Sequence, residues 1–412
     1  MKKTLPTILL ILLTISGFAQ ISLLDTSYNH IGYWILTDTI GLELECSSAD
    51  NTGRLVTASS YELIIQHKPD GSYDYATRIY PEDLEHLFDT VLTNYQVYDI
   101  AALNTGKTLV VGRVTTPMGH RMVLTQLNNE GSVDTTFANN GSFILNNYQG
   151  ITAIMPYRIR VQPDGKVILC FFASVNNIGQ HTALLRLNTN GTLDNTFNNT
   201  GVRISDNIGY QFMLFNQAGD IHVPSLKLIG NNYYLGMTQF NSAGDSLQTK
   251  ILCPYDIFGQ FHMSLSNAVI NLHGKMYISA FNYGSTNSDS VAIIAVNTDL
   301  TLDNTFANGG IAVYNDPTYR LDKLAIAISP TGQLFGISVG QNSNDQLDTR
   351  LLVLKYKNNG QLNTAFDGDG VYYQTPPFGI FYSNSPAMPY YVPQQNKLLA
   401  TAAIRDYDNL LP

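Results

Sequence analysis

The chain of 412 residues carries 23 Lys and Arg against 32 Asp and Glu, a formal net charge of -9, and only 13% of its residues are charged. Nucleic acid and anionic membrane surfaces are poor partners for such a chain, because phosphate binding needs clustered Lys and Arg. The length would ordinarily suggest two or three domains, although all-β architectures hold more chain in one unit.

At the N-terminus, Lys2 and Lys3 precede an apolar run from Leu5 to Ile15 and then Ser16, Gly17, Phe18 and Ala19. This is the form of a targeting segment, residues 1–19, with cleavage expected after Ala19. The run falls short of the ~20 apolar residues that span a bilayer. No later stretch is long and apolar enough either, so the mature chain is expected to be secreted or surface-located, with no membrane span. Cys46, Cys170 and Cys253 lie far apart and form no CxxC, which leaves zinc-ribbon and redox motifs without support. They are expected to be small buried hydrophobes, with one disulfide as the alternative.

Two phrases then recur along the chain. The first is a Gly or Asn, usually with Lys, leading into a β-rich run: "GRLVTAS" at Gly53, "GKTLVVG" at Gly106, "GKVILCF" at Gly165, "NNYYLGM" at Asn231, "GKMYISA" at Gly274, "GQLFGIS" at Gly332 and "NKLLATA" at Asn396. The second is "NNEGSVDTTFANNG" from Asn128, "NTNGTLDNTFNNTG" from Asn188, "NTDLTLDNTFANGG" from Asn297 and "NNGQLNTAFDGDG" from Asn358. In the unit Arg158 to Ile204, "RIRVQ", "KVILCFFA", "TALLRLN" and "TLDNTF" are separated by "PDG", a polar loop and "TNG". Runs of this kind, broken by Pro-Asp-Gly and Asn-Gly, read as antiparallel hairpins.

A lone four-stranded sheet cannot cover its own apolar faces, whereas sheets repeated around an axis cover one another. The expected fold is therefore all-β: a seven-bladed β-propeller of four-stranded antiparallel blades, forming one domain over residues 20–412. The blades are expected near 41–95, 96–150, 151–205, 206–258, 259–315, 316–375 and 376–412, the last one partial. Either Tyr33 to Thr39 closes that last blade, or the chain is cut short there; the break inside a strand favours the second.

In the second phrase, Asn190-Gly191 is expected to supply the positive-φ positions of a tight turn, Asp194 to bind local amides, and Phe197 to enter between sheets. The same structural role falls to Asp134, Phe137 and Gly141, to Gly201, to Asp303, Phe306 and Gly310, and to Phe366 and Gly370. The combined pattern "VQPDGKVILCFF…LLRLNTNGTLDNTFNNTGV" closely resembles the delta-60 repeat family from about Gly53 to Asn409. The unit around Asn231 departs furthest, with "NSAGDSLQT" replacing the Leu-Asp-x-x-Phe segment. The resemblance implies a bacterial, exported, propeller-like protein, often with a C-terminal sorting domain and without an assigned activity.

A residue that recurs in every unit does a structural job; a site needed once should stand outside the period. No catalytic residue is expected from motifs: G-x-S-x-G, P-loop and dinucleotide fingerprints are absent, and eight His show no metal-binding spacing. No cofactor is expected, with calcium at Asp367 and Asp369 of "DGDG" a weak candidate because the further ligands and distal Glu are missing. Tyr233, Tyr283, Tyr390 and Tyr391, beside Asn, Gln and Gly, are the candidate ligand contacts. The expected role is a non-enzymatic binding or adhesion scaffold for a protein or glycan at the cell surface. The alternatives are an axial-funnel hydrolase, lyase or oxidoreductase, and a spacer in a longer secreted protein.

Overall fold

The computed structural model describes residues 6–14, 33–36, 44–59, 62–88, 90–117, 119–145, 150–175, 178–205, 212–257, 262–283, 290–376, 379–381 and 388–405. Seven antiparallel sheets follow one another along the chain and form a seven-bladed β-propeller. From first strand to last, blade 1 runs from Leu44–Ala49 to Tyr73–Arg78, blade 2 from Thr93–Ala102 to Ser142–Ile144, and blade 3 from Ile151–Val161 to Val202–Ser205. Blade 4 runs from Leu214–Phe215 to Ser246–Pro254, and blade 5 from His262–Ile270 to Ile311–Tyr314. In blade 6 the first position is shared by Tyr319–Leu321 and Ala325–Ile328, and the last is Val371–Gln374. Between blades 1 and 2 lies a single helical turn, Pro81–Leu84.

Blade 7 draws on both ends of the described chain. Lys397–Arg405 pairs with Met388–Val392 and Ile380–Phe381 on one side and with Pro6–Thr14 on the other, in register from Pro6 opposite Arg405 to Thr14 opposite Lys397. Tyr33–Leu36 pairs outside Pro6–Thr14. The blade is thus made up from the N-terminal chain, and the segment read as a targeting peptide takes the place next to Lys397–Arg405. The expected cleavage point after Ala19 lies outside the described residues.

Two readings of the repeat change. The fourth strand of a blade is not "TLDNTF": it begins only after the second glycine, as Val202–Ser205 does after Gly201, and Leu193 contributes one isolated bridge to Leu187. In blade 4, "NNYYLGM" is the third strand, Asn232–Phe240, and the turn matching Gly165 is at Gly219. The long and short intervals on either side of Asn231 reflect that slip, because Asn231 belongs to the tight two-residue turn Gly230-Asn231 between the second and third strands, whose sequence imitates the repeat.

The second phrase latches each blade to the next. Of Asn190-Gly191 only Gly191 has positive φ, +84°, and its N–H donates to the Asn188 carbonyl at 2.9 Å. Phe197, fully buried, packs among Ile168, Cys170 and Leu184 of blade 3 and Met213, Ile221 and Phe240 of blade 4. Its ring lies against the next blade's equivalent turn, where a Cβ on Gly244 would stand 2.7 Å from Phe197 Cε2. The residue after the ring then donates its N–H to that turn: Asn198 to the Ala243 carbonyl at 2.6 Å, Ala138 to Asn190 at 2.7 Å, and Ala307 to Asn359 at 2.6 Å. Phe137, Phe306 and Phe366 enter the corresponding inter-blade cores.

Where the phrase is missing, something else fills the gap. From blade 1, Tyr75 occupies the ring position, and a Cβ on Gly131 would meet it at 2.4 Å. Blade 4 has no ring to offer, and the turn opposite carries Leu300 instead of Gly, at φ +64° and fully buried among Met237, Leu252 and Cys253. A left-handed leucine costs about 1 kcal/mol, which is offset by burying a side chain in the space a phenylalanine leaves.

The aspartate of the phrase holds the excursion closed. Asp194 Oδ1 accepts from Thr196 N at 3.1 Å and Thr196 Oγ1 at 2.6 Å, while Oδ2 accepts from Lys166 at 2.9 Å and Arg186 at 2.7 Å. Lys107 serves Asp134 at 2.6 Å, and Lys275 serves Asp303. At Asn363, Oδ1 still accepts the Ala365 N–H, at 3.3 Å. Burial pushes the Asp194 carboxyl up, but the bonds from Thr196 and Lys166 and the Arg186 charge outweigh it and hold it far below the usual carboxylate range. Asp303 is lowered against the same burial, and Asp134 is lowered first by Lys107.

Depressed folded-state values mean that stability from these carboxylates is present above the unfolded value of about 3.9 and is lost as pH falls below it toward the folded values. Melting temperature should therefore be nearly flat from neutral pH to about pH 5 and fall steeply below about pH 4, less steeply in Asp194→Asn. Asp194→Ala should lose about 3 kcal/mol at neutral pH, because it leaves Arg186 buried and unpaired; urea unfolding reads both. A chain beginning at Gln20 should self-associate in light scattering, because Lys397–Arg405 loses its partner strand and becomes an open edge. Equal monomer masses at all concentrations would show that Pro6–Thr14 does not guard that edge.

Candidate functional site at the inner ring

The first strands of neighbouring blades pack beside one another around the axis. Four of them carry a bulge residue with no partner in the next strand at a comparable place: Glu45, Tyr98, Tyr157 and Ser266. Such a bulge leaves the extra residue out of the ladder and re-aims its side chain. In blades 2 and 5 the residue after the bulge knits the ring. Asp99 Oδ2 accepts from Ile159 N and from Arg160 Nη1, both at 2.9 Å, and Asn267 both donates to the Ile326 carbonyl and accepts its N–H at 2.9 Å.

The bulge residues themselves are half-buried and form an arc over blades 1 to 3, with Tyr98 between Glu45 and Tyr157. Arg113 lies 5.5 Å over the Tyr98 ring, and Gln96 Oε1 accepts from Tyr98 Oη and Arg113 Nη2, both at 3.3 Å. Next to the arc, Arg158 lies 5.5 Å over the ring of Phe212. Burial pushes both phenols up; Arg113 pulls Tyr98 back and Glu45 adds to the rise, while Cys170 adds to the rise of Tyr157. Both hydroxyls are therefore protonated at neutral pH and able to donate. The arc combines aromatic faces, a guanidinium, an amide and a carboxylate, a set suited to a hydroxyl-rich ligand.

The four tyrosines expected to meet a ligand are not brought together. Tyr233 is 45% exposed in blade 4, where it meets Tyr255 edge-on at 6.4 Å beside a cleft of about 370 Å³. The side chain of Tyr283 lies outside the described residues. Tyr390 donates to the Ser47 carbonyl and lies 3.0 Å from Ser47 Oγ, tying blade 7 to blade 1, and Tyr391 donates to Asn396 across its own hairpin. Tyr98 and Tyr157 were missed because each looks like an ordinary member of an alternating strand; only the doubled polar step in "VYDIAA" and "PYRIRV" marks the bulge.

The weak calcium candidates sit in a turn: Asp367 has φ +49°, and Asp369 Oδ1 accepts the Val371 N–H at 2.8 Å. Among the described residues no three His, Cys, Asp or Glu gather closely enough to hold a metal. All three cysteines are free and buried, and burial pushes the thiols of Cys170 and Cys253 up to about 12.

Residues 162–197 match the model of a β-propeller domain of unknown function, DUF5122. No curated protein matches the chain. Among solved structures, a polysaccharide lyase of family PL25, an ulvan lyase, is similar at 10% identity and a TM-score of 0.51, over 88% of this chain and 93% of the lyase. A protein of unknown function from Bacteroides caccae is 14% identical over 76% of this chain and all of its own, with a TM-score of 0.38. A putative oxidoreductase (glucose dehydrogenase) from Thermus thermophilus is 13% identical over 88% of this chain and 97% of its own, with a TM-score of 0.39. At these identities the likeness is one of fold.

Tyr390→Phe removes the donor to the Ser47 carbonyl at the seam between the last and first blades. A loss of about 1 kcal/mol in urea unfolding is expected, the usual net worth of such a bond.

Proposed function

We propose that the protein is an exported, non-catalytic β-propeller that binds a glycan chain at the inner ring over blades 1 to 3. The observation that carries this reading is the arc of Glu45, Tyr98 and Tyr157 with Arg113 and Gln96: a cluster of polar and aromatic groups outside the repeated latch. Tyrosine presents a flat apolar face at low entropy cost, and its hydroxyl, with the amide and guanidinium, supplies donors and acceptors for sugar hydroxyls. A glycan is favoured over a protein partner at this arc because its groups are polar and aromatic, whereas exposed apolar residues of the kind protein docking faces gather lie elsewhere, Leu228, Ile229, Tyr233, Leu247 and Ile251 in blade 4. Export rests on the N-terminal Lys-Lys and apolar run; because the same run forms the strand Pro6–Thr14 of blade 7, release after Ala19 would leave Lys397–Arg405 as an open edge.

The test is a polysaccharide array followed by calorimetry on the purified chain, with product analysis of the incubated glycan. Tyr98→Ala with Tyr157→Ala should weaken binding by about tenfold or more, as for the loss of two aromatic contacts, while the fold, followed by circular dichroism, stays intact. Undiminished binding by the double variant would sink the site, and shortened glycan chains would favour the enzyme reading.

A further inference from the structure

The outermost strand of blade 5, Ile311–Tyr314, has counterparts in blades 2, 3 and 6 that also begin after the second glycine. The second residue of each points toward the following blade. It is Phe143 opposite Leu124, Arg203 opposite Leu184, Ala312 opposite Ile293 and Tyr372 opposite Val353. The three large side chains help to close the gap between blades: Phe143 packs on the core of blades 2 and 3, Tyr372 on that of blades 6 and 7, and the Arg203 guanidinium lies 5.8 Å over the Phe240 ring. Tyr356 of blade 6 stands where Phe240 stands in blade 4, each just before its turn, at Lys357–Gly360 and Asn241–Gly244. Ala312 is too short to cover it.

A cleft of about 570 Å³ opens at this place, lined by all of Ile311–Tyr314, with Ile257 on the face toward blade 4 and Tyr356 and Leu362 on the face toward blade 6. Because one strand lines it along its whole length, the cleft follows the outer edge of that strand, which pairs with no other strand. Bonded and non-bonded positions alternate along an antiparallel strand. Ala295 N donates to the Gly310 carbonyl at 2.8 Å, so Gly310 and Ala312 turn their polar backbone groups inward, and Ile311 and Val313 turn theirs outward. Those of Ile311 are taken, both bonded to Asn308 at 3.3 Å. Those of Val313 have no partner among the described residues. Its side chain is 49% exposed, whereas the counterpart Ile204 is half-buried against its core.

We propose that this edge is a docking site for an extended peptide, which adds a fifth strand to blade 5 and lays an aromatic side chain on Ala312. Val313 offers the added strand one N–H and one C=O, the main-chain pairing on which strand addition depends. A residue opposite Ala312 lies in a non-hydrogen-bonded pair, the closer kind, and its side chain stands on the same face as Ala312. There it meets the Tyr356 ring and Leu362, with Tyr314 as an end wall fixed by its hydroxyl to Asp316 at 2.8 Å. The neighbouring peptide residue, opposite Val313, turns to the other face and meets Ile257. A flat ring is what the fold itself places at this position in blades 2 and 6. The lining side chains are aliphatic or aromatic apart from the amides of Asn308 and Gln361, which argues against a sugar. The site is separate from the inner-ring arc and does not rest on glycan binding.

The test titrates the full chain with the tetrapeptide acetyl-Lys-Thr-Val-Phe-amide by calorimetry, with hydrogen exchange of Ile311–Tyr314 followed by mass spectrometry. Run antiparallel to the strand, this peptide sets its Val opposite Val313 and its Phe opposite Ala312. Saturable binding with slowed exchange is expected. Replacing the peptide's Phe by Ala should weaken binding about tenfold, for the loss of a buried ring, and N-methylation of its Val several-fold, for the loss of one hydrogen bond. Val313→Pro should abolish binding and leave the melting temperature near its original value, because proline is tolerated on an edge strand where the N–H faces outward. Ala312→Phe should fill the cleft from within and abolish binding as well. Should either variant not fold, the other and the two altered peptides carry the test. The proposal is overturned if the peptide does not saturate, if the Ala peptide binds equally well, or if binding survives in a folded Val313→Pro or Ala312→Phe chain. Dimerisation of the chain alone that Val313→Pro abolishes would put a second copy at this edge and overturn it too.

Discussion

A ring placed between two sheets needs a partner without a side chain, and the propeller is organised around that requirement. Phe197 seals blades 3 and 4 because the turn it meets ends in Gly244, and Phe137 does the same against Gly191. The seal and the hydrogen bond beside it fix the spacing and the tilt of adjacent blades together, since the residue after the ring donates straight to the opposing turn. The exception supports the rule. Leu300 takes the glycine position where blade 4 sends no ring, so bulk is moved from one side of the contact to the other while the core stays filled.

Because the latch consumes the same residues in unit after unit, departures from it carry the information about function. Asp134, Asp194 and Asp303 are bound to threonine and lysine and have no chemistry left to offer. At the inner ring, by contrast, the bulge position holds Glu45, Tyr98, Tyr157 and Ser266, three kinds of side chain on one backbone geometry. The position of Arg186 varies in the same way at the inter-blade seam, being Gln126 in blade 2, Ala295 in blade 5 and Lys355 in blade 6. A repeat fold thus supplies its own control: every blade shows what its neighbour would look like without the specialised residue.

The architecture was legible in the sequence because hairpin turns and a fixed period are local signals. The phrase around Asp194 and Phe197 could be given its role from residue type alone. What escaped depended on register. "TLDNTF" has the composition of a strand but is an Asp-anchored excursion, and "NNYYLGM" imitates the start of a second strand while being a third. The inner-ring tyrosines were hidden for the same reason, since one inserted residue alters which face a side chain takes and no composition rule marks it. The tyrosines chosen from sequence were selected for their polar neighbours, and in Tyr390 and Tyr391 those neighbours, or the adjoining blade, use up the hydroxyl.

The latch also has a direction: a blade that carries the ring gives it to the following blade, as blade 3 does to blade 4. A free unit of this kind has a plug on one side and a socket on the other, which is the recipe for an open head-to-tail fibre. Curvature is what prevents it, because after seven units the last socket is brought round to where the chain began. Closure is therefore a property of the whole circle and of no individual module within it.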